Sequence, residues 1–281
     1  LFFEGGVKNG HPEATLNKIW EDWKKFAQYA FNKSHATCYA WVGYQTGYLK
    51  AHYPAEYMSA VLSNNMNNMD EIAKFMDDIK KHDIKILGPD VNESFTQFTV
   101  NKQGNVRFGM AGIKGIGENA VNSVIQEREA NGIYKDVFDF IERVNLTTVN
   151  KKGIESLVGS GAFDCFQEVN RGTFAVDLGK GETFADILLR YGNKFQKNSS
   201  DASTSLFGGD AAVQTARPML PITPELNQLE VLKKEKELVG MYLSSHPLDT
   251  FKLDVEQFAS LKISEIGELV DNVFSGSVAP N

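Results

Sequence analysis

Residues Asn32 to His35 bring together four consecutive side chains that can bind an anion: an amide, an ammonium, a hydroxyl and an imidazole. The apolar spacing after them predicts a helix that begins here, with Ser34 as its N-cap. A helix N-terminus exposes unpaired backbone N–H groups and the positive end of the helix dipole. The candidate phosphate ligands are therefore Asn32, Lys33, Ser34 and His35. A simpler interpretation stays open, in which Ser34 only caps the helix, Lys33 is solvated and His35 is a packing residue.

A second candidate site is the stretch GIKGIGENA. Gly115, Ile116 and Gly117, followed by apolar residues at helical spacing, match a helix-hairpin-helix motif. In this motif the glycines let the backbone approach a DNA phosphate closely, and contact through backbone N–H groups carries no base specificity. The candidate DNA-backbone residues are Lys114, Gly115, Ile116 and Gly117.

Two further observations bear on this motif. The stretch GIESLVGSGAFD is a looser copy that places Gly159 and Gly161 in the glycine positions, either for DNA contact or for packing only. GIGENA also satisfies the dinucleotide fingerprint G-x-G-x-x-A, which requires a βαβ unit. The residues that follow, YKDVFDFIERV, have helical spacing instead, so the nucleotide-fold alternative is disfavoured.

The charge pattern favours local rather than general contact with nucleic acid. The net charge is −7, which argues against a uniformly basic surface. Between residues 101 and 152, however, eight Lys and Arg residues stand against six Asp and Glu residues. No apolar run is long enough to span a bilayer. Cys38 and Cys165 form no disulfide or metal pattern, which fits a reducing cytosol, and we predict no metal site.

Two bulky apolar residues, Leu206 and Phe207, occur in the polar stretch QKNSSDASTSLFGGDAAVQTARP. The composition of residues 196–221 predicts a linker. Apolar side chains that stay exposed in a linker lose the free energy that burial would give them. Ser205, Leu206 and Phe207 are therefore candidates for docking into a partner's pocket. The alternative is that they fold back on the chain's own surface.

The elements predicted around these candidates are mostly helices. Helical spacing covers residues 1–83 and 111–195, a small β hairpin is predicted within residues 84–110, and a helix followed by the start of a strand is predicted within residues 222–281. The predicted fold class is mainly α with a small β hairpin. The chain lacks an initial Met and ends on a strand-like run, so we expect it to be part of a longer protein.

Several segments resemble the alpha subunits of bacterial DNA polymerase III, which are C-family replicative polymerases. The most specific is FNKSHATCYAWVGYQTGYLKAHYPAEYMSAVL, which is similar to the fingers region of that family. Shorter segments extend the resemblance over nearly the whole chain: VKNG, GPDVN, GIKGIGENA, SGAFD and GMYLSSHPLD. The resemblance implies that residues 1–83 are the C-terminal part of the fingers and that residues 111–195 are a tandem helix-hairpin-helix domain. Residues 222–281 would then lead into a truncated strand of an oligonucleotide-binding (OB-type) barrel.

The resemblance also implies roles for the candidate residues. Residues Asn32 to His35 would contact the incoming nucleotide and the template, with Lys33 neutralising triphosphate charge. The hairpins would bind duplex DNA. The linker would hold the sliding-clamp-binding motif, of the form Gln-x-Ser/Asp-Leu-Phe. Residues 205–207 fit this motif, whereas Ser203 stands where the family has Gln and removes a hydrogen-bonding anchor.

The family places the metal-binding carboxylates of nucleotidyl transfer in the palm, and no segment here resembles the palm. The parent polymerase would use Mg²⁺, whereas this chain would hold no catalytic residue and no cofactor. Its expected partners are primer-template DNA, deoxynucleoside triphosphates, the sliding clamp and other replisome subunits, in the bacterial cytoplasm at the nucleoid, with no membrane. The alternative is a stand-alone helix-hairpin-helix DNA-binding scaffold without polymerase activity.

Overall fold

The computed structural model of the 281-residue chain describes residues 1–29, 33–66, 68–179, 181–204, 215–258, 266 and 270. These residues are mainly helical, as the sequence predicts. The α-helices are α1 (Phe2–Lys8), α2 (Glu13–Tyr29), α3 (Lys33–His52), α4 (Pro54–Asn64), α5 (Met69–Lys81), α6 (Glu118–Asn131), α7 (Val137–Arg143), α8 (Lys151–Gly159), α9 (Phe184–Thr204), α10 (Gln228–Val239) and α11 (Lys252–Phe258). The chain divides into two compact units, Leu1–Tyr57 and Met58–Asn281.

The first unit buries little apolar surface. α1 packs on α2, where the Phe2 ring lies 4.9 Å from the Trp23 ring and Leu16 is buried. α3 has no buried residue, and its exposed large side chains include Tyr39, Trp41, Val42, Tyr44, Tyr48 and Leu49. The helices predicted from apolar spacing are present, but within this unit most of their apolar side chains have no protein surface against them.

The second unit contains a three-stranded sheet, β1 (Ile86–Leu87), β2 (Thr99–Val100) and β3 (Val106–Arg107), in the order β1-β3-β2. β2 and β3 are antiparallel, which confirms the predicted hairpin, and β1 adds a parallel strand on the other side of β3. The Asn101 side chain closes the turn by accepting the N–H groups of Gln103 and Asn105.

The core of the second unit is built from aromatic side chains that meet edge to face. The rings of Phe140, Phe163, Phe174 and Phe184 form a continuous row with centroid distances of 4.8, 5.7 and 5.9 Å. Such pairs add about 1 kcal/mol each to the free energy of burial. This row joins α7, the turn after α8, a 3-10 helix (Thr173–Ala175) and α9, so the helices that carry the hairpins rest on one core.

The predicted end of helical structure near Phe195 is wrong, because α9 continues to Thr204. The reason is a contact distant in sequence. The Nε2 atom of Gln196 donates to the carbonyl oxygens of Val144 (2.8 Å) and Ile141 (3.1 Å), which lie at the C-terminal end of α7. The polar composition of residues 196–221 predicted a linker. The hydrogen bonds of Gln196 instead hold the start of this segment against the end of α7, where carbonyl groups lack partners within the helix.

α10 ends at Gly240, which has a left-handed φ of +84° and donates its N–H to Lys236 O. A 3-10 helix (Asp249–Phe251) and α11 follow. The predicted strand of an OB-type barrel, within residues 273–281, lies outside the described residues. Among the helices that the structure describes, none combines the length and apolarity that crossing a membrane requires.

Candidate nucleic-acid interface

The first hairpin (residues 113–117) connects a 3-10 helix, Met110–Gly112, to α6. Ile113 and Ile116 are buried and hold the loop on the core, whereas Lys114 and Gly115 between them are exposed. This pattern of burial follows from the sequence, since the two isoleucines have apolar side chains that pack on the core, whereas the lysine and the glycine between them do not. The loop is therefore anchored on the core at two residues while part of its backbone faces solvent.

The two glycines of this hairpin have different structural roles. Gly115 has a left-handed φ of +93°, and a Cβ there would lie 2.5 Å from the Oγ atom of Ser156, so a larger residue does not fit without strain. Gly117 is the N-cap of α6 with a φ of −82°, and a Cβ there would have no atom within 4 Å. Gly115 is thus required by the fold, whereas the surface at Gly117 is open.

The backbone N–H groups of this hairpin are unpaired along a continuous row. Lys114 N–H donates to Leu238 O at 2.8 Å, and the next bonded N–H is that of Ala120, which donates to Gly117 O at 3.0 Å. Between them, within the described part of the chain, the N–H groups of residues 115–119 form no hydrogen bond. Several N–H groups next to a helix N-terminus are an arrangement that binds phosphate.

Lysine side chains flank these N–H groups. Lys114 belongs to the loop, and the Cε atom of Lys152, in the first turn of α8, lies 3.4 Å from the Cβ position of Gly115. Neither ammonium group pairs with a carboxylate of the described residues. Glu118, in the first turn of α6, adds one exposed negative charge. The side chains around the loop therefore carry a small positive excess.

The second hairpin (residues 159–161) is more enclosed. A Cβ on Gly159 would lie 2.6 Å from Cδ1 of Leu238, and Gly161, with a φ of +89°, is buried next to Arg171. After it the chain forms turns up to Cys165 rather than a second regular helix. Gly161 is required by its positive φ and its contact with Arg171, whereas a methyl group at Gly159 would have to displace only the end of the Leu238 side chain. DNA contact by this hairpin stays a prediction.

Arg171 ties the second hairpin to α10. Its Nη1 donates to Glu235 at 2.9 Å and its Nε to Asp164 at 3.0 Å. Glu235 is buried and also accepts the backbone N–H groups of Leu243 (2.9 Å) and Ser244 (3.1 Å). Burial by itself raises the pKa of Glu235, but the two N–H groups and Arg171 outweigh it, so the pKa lies below its ordinary value. This carboxylate is ionised and fully bonded inside the fold.

At the N-terminus of α3 the structure places Lys33 as the first helical residue, with Ser34 and His35 in the first turn, all three exposed. The His35 ring lies 4.4 Å from the Tyr39 ring. Asn32 lies outside the described residues. Three of the four candidate phosphate ligands are thus together at one helix terminus.

The predicted docking motif, Ser205, Leu206 and Phe207, lies outside the described residues. The chain on either side of it is joined by a hydrogen bond of 2.9 Å from Asn198 Nδ2 to Thr215 Oγ1.

Two alternatives can be tested against the geometry. α6 is preceded by a 3-10 helix and followed by α7, so GIGENA is not part of a βαβ unit and the dinucleotide alternative is wrong. Across the described ranges, no group of three or more His, Cys, Asp or Glu side chains could hold a metal ion.

Residues 83–174 match the model of the helix-hairpin-helix motif. The DNA polymerase III subunit alpha of Borreliella burgdorferi is 37% identical over 98% of this chain, and that of Haemophilus influenzae is 35% identical over 95%. The subunit of Aquifex aeolicus is 35% identical over 89%. The chain belongs to the DNA polymerase III alpha subunit family. It spans 24%, 22% and 19% of the length of these three alpha subunits.

The similarity to DNA polymerase III alpha subunits extends beyond the helix-hairpin-helix match on both sides, and α10 lies outside that match. Two residues beside the first hairpin, Lys152 and Leu238, were not predicted from the sequence. No local pattern could have identified them, because each meets the hairpin only through the tertiary packing of α8 and α10.

Proposed function

We propose that this chain serves within a bacterial DNA polymerase III alpha subunit, where its first hairpin binds the DNA backbone of the primer-template without base specificity. The N-terminus of α3 meets the incoming nucleotide and the template, and residues 205–207 bind the sliding clamp. Catalysis and Mg²⁺ belong to other parts of the polymerase, so this chain by itself is inactive. The polymerase works with other replisome subunits at the nucleoid, in the cytoplasm.

One observation carries the DNA-binding proposal: the unpaired row of N–H groups from Gly115 to Asn119, on a loop anchored by buried isoleucines. Backbone N–H groups bind any phosphate regardless of the base, which suits a polymerase that must hold every sequence. The lysines on either side add attraction that depends on salt concentration.

Gly117→Ala is the sharpest test of this proposal. The open space at this position leaves the free fold unchanged. The added methyl group would obstruct a phosphate oxygen that approaches the neighbouring N–H groups. We expect the affinity of the 281-residue chain for duplex DNA to fall roughly tenfold, with an unchanged melting temperature.

The matched control is Gly88→Ala, where a Cβ would make one ordinary contact of 3.9 Å, with Cδ1 of Leu243, and DNA affinity should stay the same. Lys114→Ala should reduce the slope of log affinity against log salt by about one. Wild-type affinity in Gly117→Ala and a wild-type salt slope in Lys114→Ala would together refute DNA binding by the first hairpin.

The nucleotide role of α3 rests on the exposed Lys33, Ser34 and His35 at its N-terminus. In the complete polymerase, Lys33→Ala should raise the nucleotide KM or lower kcat by roughly tenfold, because one charge on the triphosphate loses its partner. Lys18→Ala, also exposed, serves as the control. Unchanged kinetics in Lys33→Ala would remove this role.

Clamp binding rests on the sequence of residues 205–207 alone. A peptide of residues 201–210 should bind the sliding clamp, and the same peptide with Leu206→Ala and Phe207→Ala should not, because the two apolar side chains are the anchors. The absence of binding by the unmodified peptide would end this proposal.

A further inference from the structure

We propose that α10, which lies outside the helix-hairpin-helix match, is a working part of the DNA-binding site, and that Leu238 positions the first hairpin for phosphate binding. The inference rests on the proposed function of that hairpin. It adds a positioning residue that contacts no DNA itself and lies far from the hairpin in sequence.

The first contact is between backbones. The last four carbonyl groups of a helix lack partners within it, and Leu238 O is one of them in α10. Instead it accepts the N–H of Lys114 at 2.8 Å. Gly240, with its left-handed φ of +84°, ends α10 just after this residue. The helix therefore ends where its free carbonyl group can hold the first residue of the exposed loop.

The second contact involves the side chain of the same residue. Cδ1 of Leu238 occupies the space that a Cβ on Gly159 would need, at 2.6 Å from that position. One leucine thus touches both hairpins, the first through its carbonyl oxygen and the second through its side chain. Its placement on Gly159 fixes the position from which its carbonyl oxygen meets Lys114.

α10 itself is held firmly enough to act as a support. Leu232 and Val239 are buried, and Glu235 is bonded to Arg171 and to two backbone N–H groups beyond the helix. The packing of Leu232, the packing of Val239 and the hydrogen bonds of Glu235 therefore all oppose rotation or sliding of the helix.

Such support matters because the phosphate-binding stretch contains two glycines. A loop with glycines at 115 and 117 loses much conformational freedom when it binds a phosphate, and this loss lowers affinity. The hydrogen bond from Lys114 to α10 restricts the residue immediately before that stretch. Part of the loop is therefore already ordered in the folded chain, and DNA binding is tighter than it would be without this bond.

The test uses three variants of the 281-residue chain and a duplex DNA probe. Leu238→Ala removes the side chain that rests on Gly159, and Gly159→Ala pushes that side chain away. Each should weaken DNA binding roughly three- to tenfold, the range expected when one positioning hydrogen bond is lost. Hydrogen exchange at the Lys114 amide should accelerate by a similar factor, with exchange in the core unchanged.

The double variant, Gly159→Ala with Leu238→Ala, separates positioning from general damage. The new methyl group at 159 fills space that the shortened side chain vacates, so the double variant should bind DNA more tightly than either single variant. Leu229→Ala, at an exposed position of the same helix, is the matched control and should bind as the wild type does. If Leu238→Ala does not fold, Gly159→Ala and the double variant still carry the comparison.

The outcomes separate the two proposals. Unchanged DNA affinity in Leu238→Ala and Gly159→Ala, with loss of binding in Gly117→Ala, would overturn the role of α10 and leave hairpin binding intact. A double variant weaker than both single variants would also overturn it, since general destabilisation would then explain the losses. Wild-type binding in all of these variants, Gly117→Ala included, would refute the hairpin proposal itself.

Discussion

At the scale of single residues, Glu235 shows how a buried charge is kept in this fold. Its side chain is only 1% exposed, yet it is ionised, because the Arg171 guanidinium and the N–H groups of Leu243 and Ser244 all donate to it. A buried carboxylate of this kind contributes stability while its donors are in place; if its charge is removed, Arg171 keeps Asp164 as a partner, but the N–H groups of Leu243 and Ser244 lose a charged acceptor. Because the ionised form of Glu235 accepts from all of these donors, its contribution to stability depends on pH.

The lowered pKa of Glu235 predicts that the free energy of unfolding decreases in acid. Its folded-state pKa lies below the ordinary value of 4.5, so its contribution is present above that value and is lost as the pH falls below it. Glu235→Gln should lower the free energy of unfolding by roughly 2–4 kcal/mol near neutral pH and should flatten its decline below the ordinary pKa. Urea unfolding at a series of pH values measures both effects.

Glu237→Gln, at an exposed position of α10, is the control and should keep the wild-type stability and pH dependence. An acid decline in Glu235→Gln as steep as that of the wild type would assign the decline to other carboxylates.

At the scale of elements, hydrophobic periodicity predicted those helices, strands and turns whose formation depends on residues close in sequence. The helices of the first hundred residues, the hairpin of β2 and β3 and the loop at Gly115 and Gly117 all follow from local spacing and turn chemistry. The parallel strand β1 and the extension of α9 did not, because each is stabilised by residues distant in sequence. The same holds for the support that α10 gives to the first hairpin.

Gln196 predicts a measurable effect on α9. Its amide group donates to carbonyl oxygens at the end of α7, and Gln196→Ala removes that donor. We expect the free energy of unfolding to fall by about 1–2 kcal/mol, and amide exchange after residue 196 to accelerate as the end of α9 frays.

Gln196→Glu should be worse than Gln196→Ala, because a carboxylate would face carbonyl oxygens. Asn193→Ala, one turn earlier and exposed, is the matched control, since among the described residues its amide group bonds only to Leu189, within the same helix. Equal stability of Gln196→Ala and the wild type would show that α9 persists without this contact.

At the scale of the whole molecule, the two compact units differ in how much they bury. The first unit has few buried side chains and an exposed α3, whereas the second holds nearly all of the core. Few buried apolar contacts mean low local stability, so the units should not unfold together.

The tryptophans make this difference observable. All three, Trp20, Trp23 and Trp41, lie in the first unit. In a urea titration, the tryptophan fluorescence should therefore complete its change at a urea concentration where the far-UV circular dichroism, to which the helices of both units contribute, still retains the signal of the second unit. A single coincident transition by both probes would contradict independent unfolding.

The bond between Lys114 and Leu238 also dictates an order of assembly. During synthesis the loop leaves the ribosome long before α10 exists, and domains fold from the N-terminal side as they emerge. An unfinished chain would therefore present the loop without its support and would hold DNA weakly. On the proposed function, the first hairpin thus binds a duplex with full affinity only after α10 has been synthesised and has packed beside it.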